Sequence, residues 1–235
     1  MKFDNTTGIQ HLYKGTLFRI ISNDETLKEF LSFCGRLYKY DFQRQVLIFA
    51  QRPDAVAVAS KKIWTDRMHR EMTPRNQAIM VLDDKGKNIA NLFDVTDTDG
   101  EEKTLPLVWM LDQHDRKLTN QLDRMEDDSL KGFSVPAYAK AFVRFAVYSR
   151  AGCDLSGFKL NCGAIRDIEQ FEKAGMLISS AIGKTLRQIE RSISHENRNE
   201  SNQWHPLSAG QRQLILSAAG WGLSESRTDW QIRKP

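Results

Sequence analysis

Residues 78–98, AIMVLDDKGKNIANLFDVTDT, constrain the fold more than any other stretch of the sequence. Two apolar runs flank the tetrapeptide DDKG at 83–86, whose residue types tolerate a tight turn. The pattern predicts a β-hairpin in which residues about 78–82 pair with residues about 89–95. Because helical periodicity precedes and follows this hairpin, the sequence predicts an α+β fold: N-terminal helices, a small antiparallel β-hairpin sheet and then a helical region.

Two helices are predicted before the hairpin. The tetrapeptide SNDE at 22–25 has the capping-box pattern, in which Ser22 is the capping residue, and apolar side chains then recur at three- and four-residue steps through residues 27–37. A second helix is predicted at about 41–51. It ends there because Pro53 disfavours helical backbone at the residue before it.

The remaining segments predict further helices and one ambiguous element. Residues 55–59 fit either a strand or a helical turn, and the following SKKIWTDRMHR predicts a capped helix at 60–70. The stretch from Ser134 to Gly152 predicts a largely buried helix, and residues 176–193 predict an amphipathic one. The polar sequence beyond Ser194 predicts a linker.

These elements divide the chain into three predicted parts. Residues 1–104 form an α+β domain, residues 105–197 form a helical region packed on it, and residues 198–235 form a linker and tail. The tail contains two tryptophans and little periodicity, which is typical of a mobile tail or of a clamp that folds on a partner.

Composition predicts a soluble cytoplasmic protein. The first residues lack the apolar core of a signal peptide, and no window approaches the roughly 18 apolar residues of a membrane span. The three cysteines are scattered, without the spacing of a disulfide framework or a zinc site, which favours a reducing compartment.

The motif inventory excludes most enzyme classes. The sequence contains no HExxH, GxxxxGK[ST], GxGxxG or GxSxG pattern, and its five histidines stand apart from one another. The acidic residues after the hairpin lack calcium-loop spacing. The sequence therefore predicts a non-enzymatic protein without metal or cofactor, with a nuclease that uses the aspartates of FDVTDT as the remaining enzymatic alternative.

Charge is distributed unevenly along the chain. Residues 91–130 carry four basic and eleven acidic side chains, whereas the rest of the chain carries 30 basic and 19 acidic ones. A basic body favours a polyanionic partner, and an acidic segment can dock in a basic groove. A solvated surface of mixed charge is the alternative explanation.

Aromatic, basic and amide side chains alternate through the N-terminal part, a mixture suited to single-stranded nucleic acid because bases stack on rings while cations neutralise phosphates. The predicted contact residues are Tyr38, Lys39, Tyr40, Arg44, Gln51, Arg52, Trp64, Arg67, Arg70 and Arg75. A second predicted contact surface is an exposed stripe on the 176–193 helix, formed by Lys184, Arg187 and Arg191. The alternative is that the aromatic residues belong to the core.

The order of YKYDFQRQVLIFAQRPDA, KKIWTDRM, IMVLDD and NLFDVTDT resembles the N-terminal domain of ArdC-type antirestriction proteins. It is most similar to the version at the front of large helicase or methylase proteins of conjugative elements, and the resemblance covers about residues 25–195. It implies an α+β domain that binds single-stranded DNA, and it adds Gln45 to the predicted contacts. The chain departs from the family pattern at 73–78, TPRNQA, where relatives have a basic glycine-containing turn.

Two function hypotheses follow. The first is a non-enzymatic anti-defence protein of a mobile element that binds single-stranded DNA through its basic surface. The second is an inhibitor of a host defence nuclease, such as a CRISPR effector, which it engages through an acidic surface. The acidic residues predicted to contact that partner are Asp97, Asp99, Glu101 and Glu102.

Overall fold

The computed structural model describes residues 5–83, 88–101, 130–131, 133–165 and 167–199. Its helices are α1 (Asn5–Ile21), α2 (Asp24–Arg36), α3 (Phe42–Gln51), α4 (Ala137–Ala151) and α5 (Ile168–Asn199). Its strands are β1 (Val58–Ala59), β2 (Glu71–Met72), β3 (Ile79–Leu82), β4 (Ile89–Asp94) and β5 (Thr98–Asp99). This mixed, mostly helical arrangement confirms the predicted α+β class. The predicted acidic helical stretch after Leu105 and the predicted tail lie largely or wholly outside the described residues.

Helix α2 begins one residue later than the capping-box pattern predicts. The side-chain oxygen of Asn23 accepts hydrogen bonds from the N–H groups of Glu25 at 2.7 Å and Thr26 at 3.1 Å. The hydroxyl of Ser22 instead donates to the carbonyl of Phe18 at 2.6 Å, at the end of α1. The prediction of Ser22 as the cap was therefore wrong, because an asparagine side chain in the next position satisfies the free amides of the helix.

Helix α3 has the predicted extent. Asp41 is its N-cap, and the Asp41 carboxylate accepts from the N–H of Arg44 at 2.9 Å. The helix stops at Gln51, and Arg52 has non-helical backbone before Pro53. The proline thus ends the helix in the way the sequence predicts.

The core is built on helix α2, which packs against the four other helices that the structure describes. Phe30 lies edge-on to Phe42 and Phe49, with ring centroids 5.9 and 5.3 Å apart, and Phe42 lies edge-on to Phe171 of α5 at 5.7 Å. All four rings are at most 4 % exposed. Burying a large apolar side chain contributes about 1.5–3 kcal/mol. These rings therefore hold α2, α3 and α5 together.

The predicted hairpin is confirmed. Strand β3 pairs with β4 in antiparallel register, with Ile79 opposite Leu92 and Leu82 opposite Ile89. Strand β1 pairs with the other side of β4, which resolves the ambiguous segment 55–59 as a short strand. Strands β2 and β5 form a separate two-stranded ribbon. Alternation along β3, with Ile79 and Val81 buried and Met80 exposed, turns one face of the sheet to the core.

Two of the later predictions need correction and one is confirmed. The predicted helix at 60–70 contains a π-helical turn, Ile63–Arg67, followed by non-helical backbone. The predicted linker after Ser194 is wrong at its start, because α5 continues to Asn199. Helix α4 ends as predicted at Gly152, whose φ of 74° is the left-handed conformation that glycine adopts without strain.

Two glycines let the loop between α2 and α3 and the start of α3 approach helix α5 closely. A Cβ on Gly175 would overlap the ring of Phe42. A Cβ on Gly183 would lie 2.9 Å from the carbonyl oxygen of Tyr38, closer than such contacts normally are. Side chains at these two positions would push the loop away from α5, so the glycines fix where the loop lies.

Candidate nucleic-acid interface

A cleft of about 610 Å³ lies where the loop between α2 and α3 faces helix α5, with α1 on a further side. Five residues predicted from the sequence to contact nucleic acid line it: Tyr38, Lys39, Tyr40, Arg44 and Arg187. The fold therefore brings together side chains as far apart in the sequence as Tyr38 and Arg187, which are 149 positions apart. We call this feature the α5 cleft.

Glu190 of α5 holds the loop in place beside the cleft. Its carboxylate accepts a 2.8 Å hydrogen bond from the hydroxyl of Tyr38 and lies 3.3 Å from the ammonium of Lys39. The Lys39 side chain remains largely exposed. Glu190, which lies between Arg187 and Arg191 in the sequence, is thus already engaged with the loop.

The two tyrosines of the loop are structural. Tyr38 is only 5 % exposed, and Tyr40 is half-buried with its hydroxyl donating to the carbonyl of Val58 at 2.6 Å. Burial raises the pKa of Tyr40 to about 12, which is partly offset by the nearby charge of Arg44. The prediction that Tyr38 stacks on a base needs correction, because its ring is too buried to serve as a stacking platform. Tyr40, which is half-buried and lines the cleft, stays a predicted contact.

Lys184, Arg187 and Arg191 are all exposed, and their spacing of three and four residues places them along one face of α5. None of the three makes a hydrogen bond or ion pair with another residue in the described part of the chain. We call them the α5 stripe. Arg187 belongs to both the stripe and the cleft, so the stripe leads into the cleft.

Arg44 and Gln51 contact the free edge of strand β3. The Gln51 amide donates to the carbonyl of Met80 at 2.8 Å and accepts from its N–H at 3.0 Å, as a neighbouring strand would. The guanidinium of Arg44 donates to the carbonyl of Leu82 at 3.2 Å. An unpaired strand edge is a site for unwanted pairing. Gln51 therefore covers this strand edge, and its predicted contact with nucleic acid stays a prediction.

Arg52 and Asp97 form a structural ion pair. Their closest atoms are 3.3 Å apart, and the Arg52 guanidinium also donates to the hydroxyl of Thr96 at 2.9 Å. Asp97 is 6 % exposed, and the neighbouring Asp94, 1 % exposed, accepts from the N–H of Val56 at 2.8 Å. The predictions of Arg52 as a DNA contact and Asp97 as a partner contact need correction, because the pair fastens the end of α3 to the turn after β4.

Gln45 is fully buried and bridges three elements. Its amide group donates to the carbonyl of Leu37 at 3.1 Å and, more weakly, to that of Cys34 at 3.4 Å. Its oxygen accepts from the hydroxyl of Ser179 at 2.9 Å. The prediction of a DNA contact at this position is corrected to an internal polar link between α2, α3 and α5.

Trp64 and Arg70 also lie inside. Trp64 is 2 % exposed and its indole N–H donates to the carbonyl of Phe93 at 2.9 Å. Arg70 is 4 % exposed and donates to both the hydroxyl and the carbonyl of Thr98, at 2.8 and 3.2 Å. Trp64 ties the π-helical turn to β4, and Arg70 ties the segment after the turn to β5. The prediction that these two residues contact nucleic acid therefore needs correction as well.

The remaining predicted contacts lie on other surfaces. Arg67 is exposed on the π-helical turn, and Arg75 is exposed in the loop after β2. Asp99 and Glu101 are exposed after β4, whereas Glu102 lies outside the described residues. The structure does not place these side chains in the α5 cleft.

Sequence reasoning missed several residues of the α5 cleft. Tyr13 of α1, Asp41 at the start of α3, and Glu172, Met176 and Ser180 of α5 also line it. One available signal was the serine pair 179–180 inside an otherwise apolar helical face. The other was the presence of glycines within one helix, because interior glycines destabilise helices and persist where another backbone must approach.

Comparisons with known proteins identify no relative of the chain. No family model, no curated protein and no solved structure matches the chain. Among the described residues, no helix is long and apolar enough to cross a membrane, and no three potential metal ligands converge. The ArdC-type resemblance stays a prediction from the residues that carry it.

Proposed function

We propose that the protein is a non-enzymatic, single-stranded DNA-binding protein of the anti-defence type and that the α5 stripe is its main contact with the strand. The observation that carries this proposal is the exposure of Lys184, Arg187 and Arg191 in a row, with no partner among the described residues. The implied setting of mobile-element defence comes from the ArdC-type resemblance.

The chemistry of the stripe favours a flexible polyanion. Its ends are seven positions apart, which is about 10 Å along a helix axis, so the three cations can contact successive phosphates. Cations with no anionic partner have no ion pair to break before they bind a phosphate. Binding to phosphates also releases counterions from the strand, which makes the affinity dependent on salt.

The side chains of the α5 cleft can take part at the inner end of the stripe. Lys39 is largely exposed there, although it pairs with Glu190, and Arg187 connects the two features. A strand that follows the stripe would therefore arrive at a polar cleft. This proposal requires no base stacking on Tyr38 or Tyr40.

The proposal is tested by the variant K184Q/R187Q/R191Q. Exposed ion pairs are worth roughly 0.5–1 kcal/mol each, so the dissociation constant for a fluorescent oligothymidylate should rise by about tenfold to a hundredfold. Fluorescence anisotropy at fixed salt measures the constant. Because the three side chains are exposed and have no partner in the part of the chain that the structure describes, the thermal unfolding temperature should change little.

The matched control is K61Q/K62Q/K159Q, which removes the same charge from three exposed lysines outside the cleft. This variant should retain most of the affinity. Equal losses in both variants would mean that only net charge attracts the strand. An unchanged affinity in the stripe variant would exclude the stripe as the site.

A second candidate function is the binding of a basic defence nuclease through acidic residues. The observation that favours it is the concentration of eleven acidic side chains within residues 91–130. Of the four residues predicted to make this contact, Asp99 and Glu101 are exposed in the structure. Physiological salt screens exposed charges beyond roughly 8 Å, so these carboxylates would have to touch the partner.

A pull-down from host lysate, with and without nuclease treatment, separates the two candidates. A captured protein that survives nuclease treatment and is lost with D99N/E101Q would favour the acidic surface. Capture that disappears on nuclease treatment, or that depends on the α5 stripe, would favour DNA binding.

A further inference from the structure

The α5 cleft has two chemically different ends. Asp41 and Glu172 line one part of it beside the phenol of Tyr13. Burial, then the charge of Glu172 and a hydrogen bond to its carboxylate, and then the charge of Asp41 raise the pKa of Tyr13. The phenol thus donates to Glu172 and lies within electrostatic reach of Asp41. This end of the cleft therefore carries two carboxylates: Glu172 accepts from Tyr13, and Asp41 is paired with the guanidinium of Arg44 at 3.3 Å. Each carboxylate has further oxygen lone pairs that can accept a hydrogen bond from a ligand.

The other end carries the cations Arg187 and Lys39 beside Glu190, whose carboxylate is already bonded to Tyr38 and paired with Lys39. The guanidinium of Arg187 lies over Gly183, where a Cβ would be 2.8 Å from its nitrogen and 2.9 Å from the carbonyl oxygen of Tyr38. The loop and the arginine are thus neighbours, and Lys39 follows Tyr38 directly. Arg187 has no hydrogen-bonding partner among the residues that the structure describes. This end can accept an anionic group.

The volume of the α5 cleft and one apolar side chain that lines it suit a small ligand with a flat apolar face. The volume of about 610 Å³ lies within the range of roughly 300–1,000 Å³ typical of small-molecule sites. Met176 lines the cleft and is 55 % exposed. A methionine thioether packs favourably against aromatic rings.

From this arrangement we propose that the α5 cleft holds one nucleotide, with its phosphate at Arg187 and the amino group of its base facing Glu172 and Asp41. The inference rests on the proposed function and deepens it, because it predicts which nucleotides the site prefers. Carboxylates accept hydrogen bonds from the exocyclic amine of cytosine, whereas thymine presents a carbonyl oxygen at the same position. The cleft should therefore prefer cytosine to thymine.

Calorimetric titration of the full chain with dCMP and with dTMP tests the preference directly. A carboxylate contact to an amino group is worth about 1.4 kcal/mol, so dCMP should bind about tenfold more tightly than dTMP. Deoxycytidine, which lacks the phosphate, should bind more weakly than dCMP. Equal affinities of dCMP and dTMP, or of dCMP and deoxycytidine, would overturn the proposal.

Two substitutions test which end of the cleft binds the phosphate and which end binds the base. E172Q should reduce the ratio of the dTMP and dCMP dissociation constants towards one, whereas R187Q should weaken both nucleotides and preserve their ratio. E169Q changes an exposed carboxylate outside the cleft on the same helix and should have no effect. A ratio that E172Q leaves unchanged would refute the assignment of the base.

The wild-type chain supplies a readout that does not depend on the folding of a variant. With ¹³C-labelled methionine methyl groups, dCMP should shift the signal of Met176 and leave that of Met80, which is exposed outside the cleft. An unshifted Met176 signal at saturating dCMP would also overturn the proposal. Oligonucleotide binding without mononucleotide binding would refute this inference alone, whereas failure of oligonucleotides to bind would refute the proposed function.

Discussion

Gln45→Met removes the buried polar link between α2, α3 and α5 at nearly constant side-chain volume. The native amide has no solvent exposure and makes hydrogen bonds to Leu37, Ser179 and, at longer range, Cys34. Each ordinary hydrogen bond contributes about 0.5–1.5 kcal/mol, and a buried partner left unsatisfied costs about 1–3 kcal/mol. The added apolar character of methionine offsets part of this loss. We expect the free energy of unfolding to fall by about 2–4 kcal/mol.

Urea unfolding followed by circular dichroism measures this change. For a folded unit of this size the fall corresponds to a decrease in Tm of about 5–15 °C. Gln43→Met is the matched control, because Gln43 is exposed on the same helix and its substitution should change stability by less than about 0.5 kcal/mol. In a double-mutant cycle, Q45M and S179A should couple by about 1 kcal/mol. A loss in Q45M no larger than in Q43M would refute the structural role of Gln45.

Two further predictions concern the packing of the loop between α2 and α3. Gly183→Ala should lower the free energy of unfolding by about 1–2 kcal/mol because the new Cβ crowds the Tyr38 carbonyl. Gly15→Ala, with open space around it, should raise the free energy of unfolding by about 0.5–1 kcal/mol. Equal effects of the two substitutions in urea unfolding would contradict this prediction. Tyr40 has a pKa raised from about 10 to about 12, so its contribution to stability is complete below pH 10 and is lost as the pH rises from 10 to 12. Between pH 10 and pH 12 the native chain should therefore lose up to about 3 kcal/mol more stability than the Tyr40→Phe variant. Parallel pH profiles of the two proteins would show that Tyr40 does not contribute.

The sequence predicted local structure well because its signals are local. The hairpin of β3 and β4 depends on two apolar runs and the turn between them, and α3 depends on a proline just after its end. The cap of α2 was displaced by one residue because Ser22 and Asn23 are both good capping residues. The sequence predicts a longer helix where the structure has a π-helical turn, because an apolar pattern does not specify which backbone hydrogen bonds form.

The candidate site was harder to predict because the roles of its polar side chains depend on distant partners. The sequence does not indicate that Gln51 has a partner, but its amide group pairs with the backbone of Met80, 29 positions away. Arg52 pairs with Asp97 across 45 positions. Helical spacing alone did predict the α5 stripe, since the exposed face of an amphipathic helix follows from its apolar face. The acidic end of the cleft was missed because Tyr13, Asp41 and Glu172 meet only in the folded chain.

The salt dependence of single-strand binding tests the central claim most directly. Each phosphate contact that is lost should reduce the slope of log affinity against log salt by roughly 0.7, so the K184Q/R187Q/R191Q variant should have a slope lower by about 2. The K61Q/K62Q/K159Q control should keep the native slope. Anisotropy titrations of a labelled oligothymidylate at several salt concentrations give all three slopes. A stripe variant whose slope equals that of the native chain would contradict the assignment of the α5 stripe as the phosphate-binding surface.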